Sequence, residues 1–148
     1  MSEPLPKFDL TNFLPYRLVS TAEALSQGLA RHYKREYGIS IPEWRVLAHL
    51  SHSGAVSVRD IERRAGLEKS KVSRAASRLE AEGYIAKKVH ADDRRLLELT
   101  LTPRGEALMR ELIPLANAFQ KRLEERVGSD LQGLEAALDA LRLEEFDC

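Results

Sequence analysis

The stretch Val58–Gly83, VRDIERRAGLEKSKVSRAASRLEAEG, constrains this chain more than any other. Apolar residues at Val58, Ile61 and Ala65, and again at Leu67, Val72, Ala75 and Leu79, recur at helical spacing, so each half is expected to bury one stripe. Ala65-Gly66-Leu67 separates the halves. Gly66 is able to take the left-handed conformation that ends one helix and turns the chain into the next. Two short helices joined this way form a helix-turn-helix. The polar side of the second helix carries Lys69, Ser70, Lys71, Ser73, Arg74 and Arg78, with Glu68 as the single acid of its N-terminal half. Cations suit phosphates, and hydroxyls with a guanidinium suit base edges in a major groove. An ordinary solvated helix face fits this segment equally well, and the residues beyond Gly83 decide between the two.

After Gly83 the periodicity changes. Tyr84–Val89 is a short extended run, His90–Arg95 is a polar loop, and Leu97, Leu99 and Leu101 alternate with Glu98, Thr100 and Thr102 as in a strand. Two strands around a basic loop, directly after a helix-turn-helix, make a β-wing. A guanidinium held out on the hairpin tip can enter the narrow, electronegative minor groove. Asp93 is placed to hold Arg95 by a charge-assisted hydrogen bond. Loop register is open, so either Arg94 or Arg95 is the inserted residue. An ordinary charged hairpin tip is the alternative.

The segments Lys69-Ser70-Lys71-Val72-Ser73-Arg74, Arg78-Leu79-Glu80, Gly83-Tyr84-Ile85, Asp92-Asp93-Arg94-Arg95 and Leu99-Thr100-Leu101-Thr102-Pro103-Arg104-Gly105 occur in an order and spacing that resemble the MarR family of winged-helix transcriptional regulators. The resemblance extends over the flanking helices. It implies a mainly α fold with a small β-wing: a winged helix-turn-helix lobe at 41–102, with dimerisation helices at 1–40 and 103–148. It also implies a homodimer on a near-palindromic double-stranded operator, usually a repressor, released by a small ligand or by oxidation. Ser70, Lys71, Ser73 and Arg74 would then approach major-groove bases. Lys69, Arg78, Lys87 and Lys88 would meet phosphates, and Ser57, at the start of the third helix, would donate to another. Effectors in that family lodge between the dimerisation helices and the lobe. Phe13, Tyr16, Arg17 and Trp44 are the residues expected there, aromatic faces with one cation for a small aromatic acid. Core packing of Phe13 and Trp44 and ion pairing of Arg17 are the competing roles.

The flanking segments have their own signals. Residues 1–12 are polar and Pro-containing and suggest a loose arm. From Phe13 to Tyr37, Leu14, Leu18, Ala22, Leu25, Leu29 and His32 step by three or four along one long helix, which Gly38 ends. Pro42–His52 is a second helix, and Ser57 is expected to cap the third through its hydroxyl. Thr102-Pro103 opens a fifth, with Leu108, Leu112, Leu115, Phe119, Leu123 and Val127 on one stripe and Pro114 expected to kink it. Ser129 is expected to cap a sixth, with Leu131, Leu134, Leu138 and Leu141. Stripes this long call for a partner, and an intertwined dimer is favoured over an intramolecular bundle.

Net charge over the 148 residues is zero, yet it is segregated. Arg59–Arg95 holds 11 Lys and Arg against 7 Asp and Glu, whereas Leu123–Cys148 holds 2 against 8. A basic middle suits nucleic acid, and the acidic end suits a basic partner, so a winged-helix protein-interaction adaptor is the alternative to a DNA reader. The single cysteine, Cys148, permits no intramolecular disulfide, and there is none near the N-terminus for peroxide sensing. His32, His49, His52 and His90 fall in no zinc spacing, and no phosphate loop or nucleophile motif occurs. Neither enzymatic activity nor a metal or other cofactor is expected. The absence of a signal-peptide pattern and of a long apolar run makes a cytoplasmic, non-membrane protein the expectation.

Overall fold

The helices that follow Ser40, Ser57 and Thr102 begin where a nearby hydroxyl supplies a partner for their otherwise unpaired amides. In the computed structural model, residues 2–65, 67–89, 92 and 97–142 are described. Helix α1 spans Leu14–Tyr37 with Pro15 in its first turn, and ends at Gly38, whose φ of 66° is the left-handed C-cap. A short 3-10 turn, Leu10–Asn12, precedes it. Helix α2 spans Ile41–Ser53. It starts one residue before the expected Pro42 because Ser40 and Glu43 form a reciprocal capping box. The Ser40 amide donates to Glu43 Oε1 at 2.8 Å, and the Glu43 amide to Ser40 Oγ at 3.3 Å. Helices α3, Val58–Ala65, and α4, Lys69–Ala81, are the helix-turn-helix pair. Gly66, the expected pivot, lies outside the described residues. Ser57 caps α3 as expected, its Oγ accepting from the Asp60 amide at 3.1 Å.

The sheet has three strands where the sequence suggests two. Val56–Ser57 (β1), Ile85–Val89 (β2) and Leu97–Leu101 (β3) are antiparallel, in the order β1-β3-β2. Ile85 pairs with Leu101, Lys87 with Leu99 and Val89 with Leu97, while Val56 meets Leu99 from the other side. Ile85, Leu99 and Val56 are buried on one face. They join Val46, Leu47 and Leu50 of α2, Ile61 of α3 and Val72, Ala76 and Leu79 of α4 in the core.

Helix α5 spans Pro103–Val127, with Pro114 inside it. Thr102 caps it: its Oγ1 accepts from the Gly105 amide at 3.1 Å and donates to the Gly83 carbonyl at 2.6 Å. Gly105 is buried, and a Cβ there would drive into the Tyr84 carbonyl, so the helix can start this close to β2 only without a side chain. The chain divides into two compact units at Leu112–Ile113, next to Pro114. In the second unit, Ser129 is not the cap expected of it. Gly128–Asp130 forms a 3-10 turn, and α6, Leu131–Leu141, starts from Asp130 without a side-chain cap. Leu134 and Leu138 of α6 are exposed, as are Leu14, Leu18 and Leu25 along the α1 seam. Among the described residues, no helix is long and apolar enough to cross a membrane.

Candidate nucleic-acid interface

Successive residues of a helix are turned by about 100°, and this divides α4 into faces. Val72, Ala75, Ala76 and Leu79 are buried and fix the inner face. Ser70, Arg74 and Ser77 lie opposite, all exposed. Lys71 and Arg78 flank the side toward α2, and Lys69 and Ser73 the side toward α3 and the sheet. Of the residues expected to approach bases, Ser70 and Arg74 therefore point most directly outward, and Lys71 and Ser73 stand at the two shoulders. Ser77 shares the outward face, although the sequence pattern does not single it out. Its available signal is its place one turn beyond Ser73 in the same polar series. The amides of the first turn are not capped by Glu68, whose side chain makes no cap hydrogen bond.

The residues expected to meet phosphates separate into two groups. Lys69 and Lys88 are both free of the inner face, and both are exposed. Lys87 is not an outward cation: its side chain is 23% exposed, and Nζ lies 3.2 Å from Ser77 Oγ and 3.7 Å from Glu80 Oε1. Strand alternation is the cause, because Lys87 shares the inner face with Ile85 and Leu99 while Lys88 lies on the other face opposite Glu98. Arg78 is held as well, its Nε 3.4 Å from Glu43 Oε2, although its side chain remains 65% exposed. Ser57 keeps a hydroxyl proton free of its capping role, since the cap uses its oxygen as acceptor. The wing-tip residues Asp93, Arg94 and Arg95 lie outside the described residues, as does Cys148.

The four residues expected to line an effector pocket are not brought together within the chain. Trp44 stacks on Tyr33, ring centroids 5.5 Å apart and planes at 24°. Tyr33 is 17 residues after Tyr16 on the same helix, roughly 25 Å along its axis. Phe13 instead meets Phe8 edge-on at 5.1 Å, and Phe13, Tyr16 and Arg17 are exposed. Trp44 is thus part of the α1–α2 packing, fixed by a partner that periodicity alone does not reveal.

A different groove, of about 660 Å³, runs between α1, the start of α2 and the flank of α4. Glu23, Ser26 and Gln27 line it from α1, Ser40, Ile41, Pro42, Glu43 and Arg45 from α2, and Lys71, Arg74, Ala75 and Arg78 from α4, with Leu67 at one end. Arg45 donates through Nη2 to Ser26 Oγ at 3.3 Å. Arg45, Lys71, Arg74 and Arg78 stand over a floor of Ile41, Pro42, Leu67 and Ala75, with Glu23 and Glu43 also at the rim, Glu43 being paired with Arg78. Nearby, burial lowers the pKa of His49, helped by the positive charges of Arg64 and His52. Among the described residues, no three His, Cys, Asp or Glu are grouped to hold a metal ion.

A MarR family model matches residues 37–96, from the end of α1 to the wing. The chain is also 32% identical over 85 residues to the HTH-type transcriptional repressor MdtR of Bacillus subtilis (strain 168), a match covering 57% of this chain and spanning little more than half, 55%, of that protein. A MarR family transcriptional regulator from Silicibacter pomeroyi DSS is 30% identical, with 89% of each chain covered and a TM-score of 0.77. The chain belongs to the MarR family. The fold of this MarR protein recurs in Bordetella bronchiseptica BpsR, whose DNA binding is regulated by 6-hydroxynicotinic acid, with a TM-score of 0.80 at 19% identity over 95% of this chain and all of that one. The family and fold are those of transcriptional regulators rather than enzymes.

Proposed function

We propose that this MarR-family chain is a sequence-specific DNA-binding regulator that acts as a homodimer, as a repressor, on a near-palindromic operator. The observation that carries the reading is α4 itself. One face is buried on the core, and the opposite face presents Ser70, Arg74 and Ser77 between the cationic shoulders Lys69 and Lys71. Ser70 and Arg74 read base edges, Ser73 and Lys71 approach from the shoulders, and Lys69, Lys88 and the outer end of Arg78 meet phosphates. From the sequence, Arg94 or Arg95, supported by Asp93, supplies the minor-groove contact. The exposed apolar residues Leu14, Leu18 and Leu25 of α1 support a second copy as partner, since that surface left in water is unfavourable by about 25 cal/mol per Å². Repression is supported by the resemblance to MdtR, described as a repressor.

The effector is a small aromatic acid bound in the groove of Arg45, Lys71 and Arg74, not at Phe13, Tyr16, Arg17 and Trp44. The groove's apolar floor and the cations at its rim support this, as does the regulation of BpsR by 6-hydroxynicotinic acid. Selection of bound sites from random duplex DNA tests the function. Two half-sites about one helical turn apart, bound less tightly as salt rises, are expected. Recovery of no enriched sequence, or of a single half-site bound by one protomer, contradicts the reading.

A further inference from the structure

We propose that Glu43 is a positioning residue for DNA binding: its buried carboxylate aims the guanidinium of Arg78 at the DNA backbone. This inference rests on the DNA-binding function proposed for α4. Glu43 is 3% exposed, a charged residue buried in the core. One carboxylate oxygen, Oε1, accepts from the Ser40 amide at 2.8 Å and completes the α2 capping box. That role needs no charge, because a glutamine at the third position closes a capping box equally well. Burying a carboxylate is costly unless a cation compensates it. The other oxygen, Oε2, meets Arg78 Nε at 3.4 Å, and this contact uses the charge.

The geometry of arginine makes the contact directional. Its planar fork carries five donors. With the Nε edge held by Glu43, the remaining donors belong to a side chain that is 65% exposed as a whole. A long side chain that would otherwise sample many rotamers is thereby fixed at the shoulder of α4, at a site a phosphate can reach. The same carboxylate ties the start of α2 to the second half of α4, so the recognition helix and its flanking cation are set by one buried group. Lysine at position 78 has no second edge: an ammonium drawn to Glu43 is withdrawn from the backbone.

The test uses the full chain and a labelled duplex carrying the consensus recovered by site selection, titrated at several salt concentrations, with thermal melting of every variant. R78A is expected to weaken binding about tenfold at fixed salt and to flatten the slope of log K against log salt by about one. E43Q, which keeps the capping box, is expected to weaken binding about fivefold and flatten the slope in the same direction, and E43Q/R78A to match R78A alone. R78K is expected to behave like R78A, which keeps the question decidable if E43Q fails to fold. E43Q with unchanged affinity and slope, or tighter binding with a steeper slope, overturns the proposal, because Glu43 would then be neutral or merely mask Arg78. Additive losses in the double variant, or R78K at wild-type affinity, overturn it too. A wild-type chain that binds no duplex removes the DNA-binding function and this inference together, whereas a wild type that binds beside variants that give one of these overturning results removes only this inference.

Discussion

The stack of Tyr33 on Trp44 fixes α1 to α2, and its burial has a measurable consequence at alkaline pH. Tyr33 is 2% exposed, and burial pushes its phenol from the ordinary value of 10.0 up to about 12, against the opposing positive charge of Arg45. The unfolded chain loses this proton near pH 10, but the native chain retains it until about pH 12. The stabilisation is therefore complete below pH 10 and is lost as pH rises toward 12. Two pK units correspond to about 2.7 kcal/mol once both states are ionised, and roughly half of that, ~1.4 kcal/mol, is gone at pH 11. Urea unfolding followed by the fluorescence of Trp44, the single tryptophan, reads this directly. The wild type should lose ~1.4 kcal/mol more than Tyr33→Phe between pH 9 and pH 11, because phenylalanine has no proton to lose. Equal losses in the two proteins would mean that the phenol ionises in place, and the account of α1–α2 packing would be wrong.

Gly105→Ala forces a methyl group against the Tyr84 carbonyl and Leu101, and should destabilise the fold by at least the ~1–3 kcal/mol typical of overpacking, read as a lower urea midpoint; an unchanged midpoint counts against the close approach of α5 to β2. Thr102→Val removes both the α5 cap and the donor to the Gly83 carbonyl, an expected loss of ~1–3 kcal/mol that Thr102→Ser should largely restore. Burial, then Arg64 and His52, hold His49 below its ordinary 6.5, so the unfolded chain takes up this proton first as pH falls. The stability present above pH 6.5 is then lost as pH drops through the native value, and proton NMR that finds His49 titrating at or above 6.5 would refute the burial argument. Lys69, Arg78 and Lys88 from each of two protomers give about six phosphate contacts, hence a salt slope of about −5 without the wing; a slope shallower than about −3 would mean that one protomer alone engages the duplex.

Much of this fold is legible in the sequence because its signals are local. The apolar spacing of α3 and α4, the alternation of Leu97, Leu99 and Leu101, and the hydroxyls of Ser57 and Thr102 each act within a few residues of themselves. The features that escape a reading of the sequence are short or distant. Strand β1 is two residues long, so Val56 and Ser57 have no period to detect, and their partners Leu99 and Glu98 lie far along the chain. Ser40-x-x-Glu43 is a capping box in plain sight, but Pro42 is an equally good helix opener and draws the expected boundary one residue too far. Ser129 fails as a cap for the opposite reason: the 3-10 turn across Gly128–Asp130 continues directly into α6, leaving no extended residue whose side chain could fold back over the first turn.

The interface is legible in the sequence as a count of cations and not as their disposition. Lys87 and Lys88 read as equivalent neighbours, yet a pleated strand sends them to opposite faces, one tied to Ser77 and Glu80 and the other exposed. Glu43 reads as an acid near a helix start, yet the fold commits one oxygen to the Ser40 amide and the other to Arg78 on a different helix. The aromatic residues Phe13, Tyr16 and Trp44 read as candidates for one pocket, yet a rigid helix keeps the first two roughly 25–30 Å from Tyr33, the partner of the third. Zero net charge hides the same logic. Phosphates respond to charge within about a Debye length, roughly 10 Å at moderate salt, so the field at the outward face of α4 is set by its near neighbours and not by the sum over the chain. The commitment of each cation, to a carboxylate of its own chain or to the solvent where a duplex would lie, decides what the basic segment can do.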